Sequence, residues 1–414
     1  MEASGDAKDN RHLTPFSPRA GRRCREAADE GRHSSQISSL LVALLLFLAF
    51  PAQAQERFLI ERIDVRHLVH ASAGVIRAES RLREGQQYDE SELRDANNRI
   101  KRLPFVLDAA FKLERGSVRD AYVLVITVNE TKSFFYLFDG VFYKRQRLIE
   151  VDTEDALLLG GRWFAGSRDV FHLAAVAHQA VRPFERDYSS MQGGYTRYGL
   201  LDDRAFATLT VDRTLGDSNG VKLLPGAVVG ISLAPKRTLT LSFSEYNFGR
   251  QFRRDGRIFE ARFAHNTTNH PFFPSEGILF SVAPVVARTD SAGPNGTMVH
   301  ALNAGLDGHA AEYWPLTQRT TLAAIADAGM FRVLQSDPHI EHVVGYGSAT
   351  LRLSRALHDP NESDFQDRAE LSLRATSRRR DLDVLRRNSS VQANVAWVHR
   401  NAWGLVRLGL GYAW

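Results

Sequence analysis

The sequence is nearly free of cysteine. Its 414 residues include one, Cys24, which lies upstream of the predicted signal-peptide cleavage site and is therefore absent from the mature protein. A mature chain without cysteine has no disulfides, no thiolate nucleophile and no cysteine-ligated metal site.

The sequence also lacks an apolar run long enough to cross a bilayer as a helix. The longest run, Leu40–Phe50, would rise about 16 Å against a hydrocarbon core of roughly 30 Å. The mean hydropathy of -0.28 excludes a helical membrane protein with many spans, but it suits a soluble protein and a β-barrel equally.

The run Leu40–Phe50 instead has the features of a signal peptide. Small residues at Ala52 and Ala54 follow it, which predicts cleavage before Gln55. A buried core helix is the alternative interpretation of the run. We therefore predict that residues 1–54 are an N-terminal extension and signal peptide, with the true translation start open.

Dense charge runs and catalytic motifs are missing as well. The formal charge of +5 is spread along the chain, which predicts no nucleic-acid partner. There is no H-E-x-x-H, G-x-S-x-G, P-loop or aspartate-rich calcium loop. We therefore predict no enzyme activity, no catalytic residue, no cofactor, no metal site and no small-molecule substrate.

The pattern that is present begins with a small α+β segment, residues 58–130. Its apolar spacing predicts a strand, two helices and two further strands. In the second helix, Asp89 and Glu92 have the spacing of a capping box, and Leu93 begins an apolar stripe that ends before Pro104.

This order of elements resembles a POTRA domain. Gly85 and Tyr88 before the second helix, and "RLPFVLDAAFKLERG" before the last hairpin, match the POTRA pattern. The resemblance implies a periplasmic domain at residues 55–131 whose exposed sheet edge binds client polypeptides by strand addition. A small α+β domain with a covered edge is the alternative.

From Lys132 onward, alternation of apolar and polar residues replaces the helical period. In "RAELSLRAT", residues 368–376, charged or polar side chains occupy every second position. Alternation also fits a soluble β-sandwich or propeller. With the signal peptide and the cysteine-free mature chain, it favours a transmembrane antiparallel β-barrel at residues 132–414, with 16 strands preferred and 14 possible.

Two barrel segments resemble the outer-membrane assembly superfamily that includes BamA and TamA. "RWFAGSRDVFHLAAVAH" is similar to a turn and early strand of that family, and Pro274 and Gly277 in "HNTTNHPFFPSEGILFSV" match its mid-barrel hairpin. Gly345 and Tyr346 stand where the family has a loop folded into the lumen, but Val344 replaces the arginine of that motif. A plain hairpin turn is the alternative for this last segment.

The resemblance implies a bacterial outer-membrane location with the POTRA domain in the periplasm. Implied partners are outer-membrane lipid and unfolded outer-membrane or secreted polypeptides, which the protein would help to insert or translocate through a seam between its first and last strands. A passive pore or structural surface antigen is the alternative, and a barrel-borne membrane enzyme is a third reading.

The chain ends on "RLGLGYAW", which reads as a closing strand. Arg407, Gly409, Tyr412 and Trp414 match the terminal targeting signal of outer-membrane barrels. Its outward side chains would form a lipid-facing stripe with aromatic residues at the membrane interface. We expect that a Trp414→Asp change blocks assembly, and normal surface levels of the variant would contradict this interpretation.

Overall fold

A computed structural model describes residues 56–145, 148–152, 157–178, 188–214, 223–247, 254–292, 298–337, 343–358, 366–380 and 387–413. The predicted cleavage residues Ala52, Ala54 and Gln55, and the terminal Trp414, lie outside the described residues. In the described part of the chain, no helix combines the length and the apolarity that crossing a membrane as a helix requires.

The first described segment forms a small α+β module. Its elements are β1 (Arg57–Arg66), α1 (Ala73–Ser80), β2 (Gln86–Asp89), α2 (Glu90–Lys101), β3 (Val106–Arg115) and β4 (Ala121–Glu130). The strands form one sheet in the order β2-β1-β4-β3, with β1 parallel to β4 and antiparallel to β2. The short strand β2 was not among the predicted elements.

Local sequence explains the second helix. The Asp89 side chain accepts from the Glu92 backbone N–H at 2.8 Å, and the Glu92 side chain accepts from the Asp89 N–H at 2.9 Å, so the predicted capping box is present. Leu93, Ala96 and Ile100 are buried against the sheet, as the apolar stripe predicts.

The remaining strands form one large sheet that closes on itself. They are β5 (Phe134–Arg145), β6 (Leu148–Asp152), β7 (Leu157–Ala165), β8 (Asp169–His178), β9 (Tyr188–Gly199), β10 (Ala205–Thr214), β11 (Leu224–Ala234), β12 (Arg237–Asn247), β13 (Arg254–Asn266), β14 (Gly277–Ala292), β15 (Met298–Pro315), β16 (Thr320–Asp337), β17 (Val343–Ala356), β18 (Gln366–Arg380), β19 (Arg387–Asn401) and β20 (Gly404–Ala413).

Over the described residues, the barrel has fifteen strand positions. β6 pairs with the Val141–Arg145 half of β5 and β7 pairs with the Phe134–Phe138 half, so the two together occupy one position. The predicted fold class is confirmed, but neither predicted strand number is correct. Because the number is odd, the closing pair β20–β5 is parallel, whereas an all-antiparallel barrel needs an even number.

The barrel is apolar outside and polar inside. On β18, Leu371 and Leu373 are about half exposed, whereas Glu370 and Ser372 on the other face are buried. The same division recurs around the sheet, where exposed large apolar side chains alternate with buried serine, threonine, asparagine and arginine. A soluble barrel or sandwich would bury the apolar face, so this distribution is the one expected of a barrel surrounded by lipid.

The module packs against one end of the barrel. Phe105, at the end of the α2–β3 connection, contacts Phe164 of β7 edge-to-face at a centroid distance of 4.9 Å. Val170 of β8 and Tyr198 of β9 are buried in the same cluster as the module's own core. We call this end, where β5 also begins, the module end of the barrel.

Candidate functional site

The predicted mid-barrel hairpin residues lie at the module end. Pro274 is in the loop 267–276 between β13 and β14, and Gly277 begins β14 with φ +102°. A Cβ at Gly277 would meet the Thr267 carbonyl oxygen at 2.6 Å, so both its φ and the close approach favour glycine. The connection between the two strands is a loop of ten residues, 267–276.

The predicted lumen-loop motif does not lie on a loop. Gly345 and Tyr346 are inside β17 and pair with both β16 and β18, so the lumen-loop prediction and its hairpin-turn alternative are both wrong. The physical reason is that the alternation of apolar and polar residues along β17 continues through Gly345 and Gly347 without a break. The Tyr346 hydroxyl donates to the Asp307 carboxylate on β15.

Arginines of the barrel wall itself contact a carboxylate of the inner face. Arg407 Nε of β20 lies 3.1 Å from Glu370 Oε2 of β18, and both side chains are more than nine-tenths buried. Arg352 Nε of β17 lies 3.9 Å from the same oxygen. The sequence places these charges on one face of their strands, but it does not indicate that they meet across β19.

The terminal strand is oriented away from the module. β20 runs parallel to β5, pairing Gly404 with Tyr136 and Tyr412 with Lys144, so Tyr412 lies at the end of the barrel opposite the module. Arg407 and Gly409 are buried, whereas Tyr412 is half exposed. The predicted division of faces is present on these residues, and the targeting role stays a prediction.

The seam between β5 and β20 is joined by backbone hydrogen bonds at the module end. Lys132 N–H donates to the Ala402 carbonyl at 2.6 Å, and Tyr136 N–H donates to the Trp403 carbonyl at 2.9 Å. A Cβ at Gly404 would clash with the Tyr136 carbonyl oxygen. Glycine here therefore permits close pairing of the seam.

Two arginines of the barrel attach to backbone carbonyls of the module. Arg162 Nη1 of β7 donates to Pro104 O at 2.8 Å. Arg400 of β19 donates from Nη1 to Leu107 O at 2.9 Å and from Nη2 to Val106 O at 3.0 Å. Both arginines are buried. Guanidinium donors give charge-assisted hydrogen bonds to backbone carbonyls, which are stronger than neutral ones.

The loop 267–276 contacts Arg400 as well. The Arg400 guanidinium carbon lies 4.1 Å from the centroid of Phe272, and that of Arg368 lies 4.5 Å from the centroid of Phe273. From the module, Arg102 Nη2 donates to Asn266 Oδ1 at 3.1 Å. Arg400 thus contacts the module and this loop at once, a role that the sequence alone does not indicate.

Beyond these contacts, β3 is an edge strand of the module sheet. Among the described residues it pairs with β4 on one side and with no strand on the other. Arg400 covers the carbonyls of Val106 and Leu107 at the start of this edge. The following stretch, Asp108–Arg115, lies along the edge that pairs with no other described strand, and the edge of a sheet can accept an added strand.

Charge is concentrated where the module meets the barrel. Burial raises the pKa of Glu79 on α1, opposed by the nearby guanidinium groups of Arg81, Arg99 and Arg102. Burial also lowers the pKa of Arg99 to about 10. Lys236 Nζ of the β11–β12 turn lies 3.4 Å from Asp95 Oδ2 of α2, which adds an ion pair between the two parts.

One set of serine, histidine and aspartate side chains in contact lies on the inner wall of the barrel, but its contacts differ from those of a catalytic triad. On the lumen side, His309 Nδ1 lies 2.7 Å from Asp327 Oδ1, but the Ser348 hydroxyl donates to Asp327 Oδ2 at 3.0 Å. A nucleophilic serine would have to contact the imidazole instead. Over the described residues, no group of three or more His, Cys, Asp or Glu is placed to hold a metal.

The comparisons with known proteins give a distant structural similarity alone. No family model matches the chain, and no curated protein matches it. Among solved structures, it is similar to BamA from Haemophilus ducreyi lacking POTRA domains 1–3, with a TM-score of 0.36 and 10% identity over 87% of this chain and 86% of that one.

Proposed function

We propose that this protein is a bacterial outer-membrane β-barrel with a periplasmic POTRA-type module, and that it assists the insertion or translocation of other polypeptides. The observation that carries the proposal is the pairing of an inside-out barrel with a module that presents an open strand edge. A barrel satisfies all its backbone groups internally, which lipid demands, whereas an open edge can pair with a strand of another chain.

The height of the apolar exterior supports a membrane-spanning barrel. On β12 the outward residues Arg237 and Glu245 enclose an apolar stretch, Leu239 to Phe243. At about 3.3 Å per residue, the two charges are roughly 26 Å apart along the strand. With a strand tilt of about 35–45°, this length corresponds to a height of roughly 20 Å, which is comparable with the apolar band of about 25 Å found on outer-membrane barrels.

The edge of β3 is the proposed client site. An added strand would pair with the open stretch Asp108–Arg115, and extension of that pairing toward Val106 would displace Arg400. Because Arg400 belongs to β19, next to the closing strand β20, the same contact links client binding to the seam through which strands would pass.

Cross-linking tests the client site directly. A photo-reactive residue at Lys112, an exposed position of β3, should cross-link to newly exported polypeptides in cells. The matched control is Arg94, an exposed position of α2 in the same module, which should give none. Equal cross-linking at the two positions would contradict edge binding.

Deletion tests the role of the whole protein. Cells that lack it should lose other barrel or secreted proteins from the outer membrane, measured by quantitative proteomics against a complemented strain. If no such protein decreases, the assembly role is wrong.

A passive pore is less well supported by the inner wall. Ser281, Ser372, Asn394 and Arg407 face the lumen from four strands, and all are buried. The side chains of a wide aqueous channel would be solvated instead. Recordings in planar bilayers separate the two readings, since a passive pore must give steady conductance from the purified protein alone.

A further inference from the structure

A groove lies on the outer face of the barrel at the module end. Ala165, Gly166, Asp169, Phe171 and Tyr195 line it, and its volume is about 500 Å³. These residues come from β7, β8 and β9 and from the turn between β7 and β8. The groove therefore opens toward whatever surrounds the barrel, and not into the lumen.

Side chains around the groove are arranged in two lateral rows. Trp163, Phe171 and Tyr195 are register neighbours on β7, β8 and β9 and form an aromatic row. Trp163 is 56% exposed and Phe171 is 43% exposed. One step nearer the module, Asp169 and Arg197 are register neighbours and form a charged row. This sequence from aromatic to charged residues is the one found where a barrel leaves the hydrocarbon region.

The charged row places one negative and one positive side chain, Asp169 and Arg197, at the groove. Asp169 Oδ1 accepts from the Tyr195 hydroxyl at 2.6 Å and from Arg197 Nη1 at 3.0 Å. Asp169 Oδ2 has a longer contact with Arg197 Nη1, at 3.3 Å, and it faces the open side of Gly166. A carboxylate offers about four acceptor positions, so Oδ2 retains capacity for a cation, and the half-exposed Arg197 is accessible to an anion.

We propose that this groove binds a zwitterionic phospholipid headgroup, with its ammonium at Asp169, its phosphate at Arg197 and its acyl chains along Phe171 and Trp163. The inference rests on the membrane location given under the proposed function. A headgroup without a cationic part would place its phosphate at Arg197 but would bring no cation to Asp169, so the groove favours phosphatidylethanolamine over phosphatidylglycerol.

The barrel contains a matched control at its opposite end. Glu245 and Arg257 form an outward cross-strand ion pair with an Oε1 to Nε distance of 2.6 Å, next to the aromatic pair Phe243 and Phe259. The order of charged and aromatic residues is the same, but neither charged residue lines the groove.

Native mass spectrometry of the purified full barrel and module tests the proposal. The protein is mixed in detergent with equimolar phosphatidylethanolamine and phosphatidylglycerol, and retained lipids are counted. We expect at least a fivefold preference for phosphatidylethanolamine. Asp169→Asn should remove this preference and Arg197→Gln should lower the retention of both lipids, whereas Glu245→Gln should leave the wild-type pattern.

Tyr195→Phe provides a milder change if Asp169→Asn does not fold. It removes the hydroxyl that occupies Asp169 Oδ1, and so frees the carboxylate and should raise retention of phosphatidylethanolamine. Equal retention of the two lipids by the wild type, or an equal effect of Glu245→Gln and Asp169→Asn, would overturn the proposal. Flotation with vesicles is scored in parallel: a protein that floats without headgroup preference refutes the lipid site alone, whereas one that does not float also refutes the membrane location.

Discussion

Removal of the Arg400 guanidinium should release the start of β3 from the barrel. This group makes hydrogen bonds of 2.9 Å and 3.0 Å to two module carbonyls, and its side chain is buried. A hydrogen bond from a charged group contributes about 1.5 to 3 kcal/mol, so Arg400→Ala should lose about 3 to 6 kcal/mol of local stability. The lower value corresponds to roughly a hundredfold larger population of the open form.

Hydrogen exchange measures that population directly, because amides exchange through local opening when opening is less costly than global unfolding. We expect peptides that cover Val106–Arg115 to exchange roughly a hundredfold faster in Arg400→Ala. Arg400→Lys, which keeps the charge but not the two-pronged geometry, should lie between the variant and the wild type.

The control is Arg57→Ala. Arg57 lies in the module and pairs with Glu92 at 3.3 Å, and both side chains are about half exposed. An exposed ion pair contributes little to stability. Unchanged exchange of β3 in Arg400→Ala, or an equal increase in Arg57→Ala, would refute the reasoning that Arg400 holds the module edge.

Two further changes test the seam and the charged interface. Gly404→Ala should lower the temperature at which the folded barrel converts to the unfolded form on an electrophoresis gel, because its Cβ would clash with the Tyr136 carbonyl oxygen. Gly345→Ala should leave this temperature unchanged, because the nearest atom to its Cβ is 3.8 Å away. Equal temperatures for the two variants would contradict the steric argument. Glu79→Gln should stabilise the module at pH 7. Burial raises the pKa of Glu79, so the folded state binds this proton more tightly than the unfolded state, and the free energy of unfolding falls as pH rises above the usual glutamate range. Glutamine carries no charge and avoids this loss. The gain should disappear near pH 4 in thermal unfolding and be absent in Glu90→Gln, an exposed control; a gain that does not depend on pH would contradict the assignment.

Local patterns predicted most of the secondary structure. The capping box of Asp89 and Glu92 marks the start of α2, and period-two alternation separates the apolar and polar faces of strands such as β18. These features depend on neighbours a few residues apart, so the sequence carries them directly. At Gly345 and Tyr346 the motif resemblance predicts a loop, but the unbroken local alternation is that of a strand, and the structure has a strand there.

The amino-acid sequence by itself thus determined that the chain has a small α+β module followed by many two-faced strands. Only the tertiary structure decided that the barrel has fifteen positions, that β20 ends opposite the module, and that Arg400 contacts Val106 and Leu107. Alternation specifies the face of each side chain but not which strands close the sheet, because closure depends on pairing between the first and last strands of the barrel. Contacts between residues almost three hundred positions apart leave no periodic trace in the sequence.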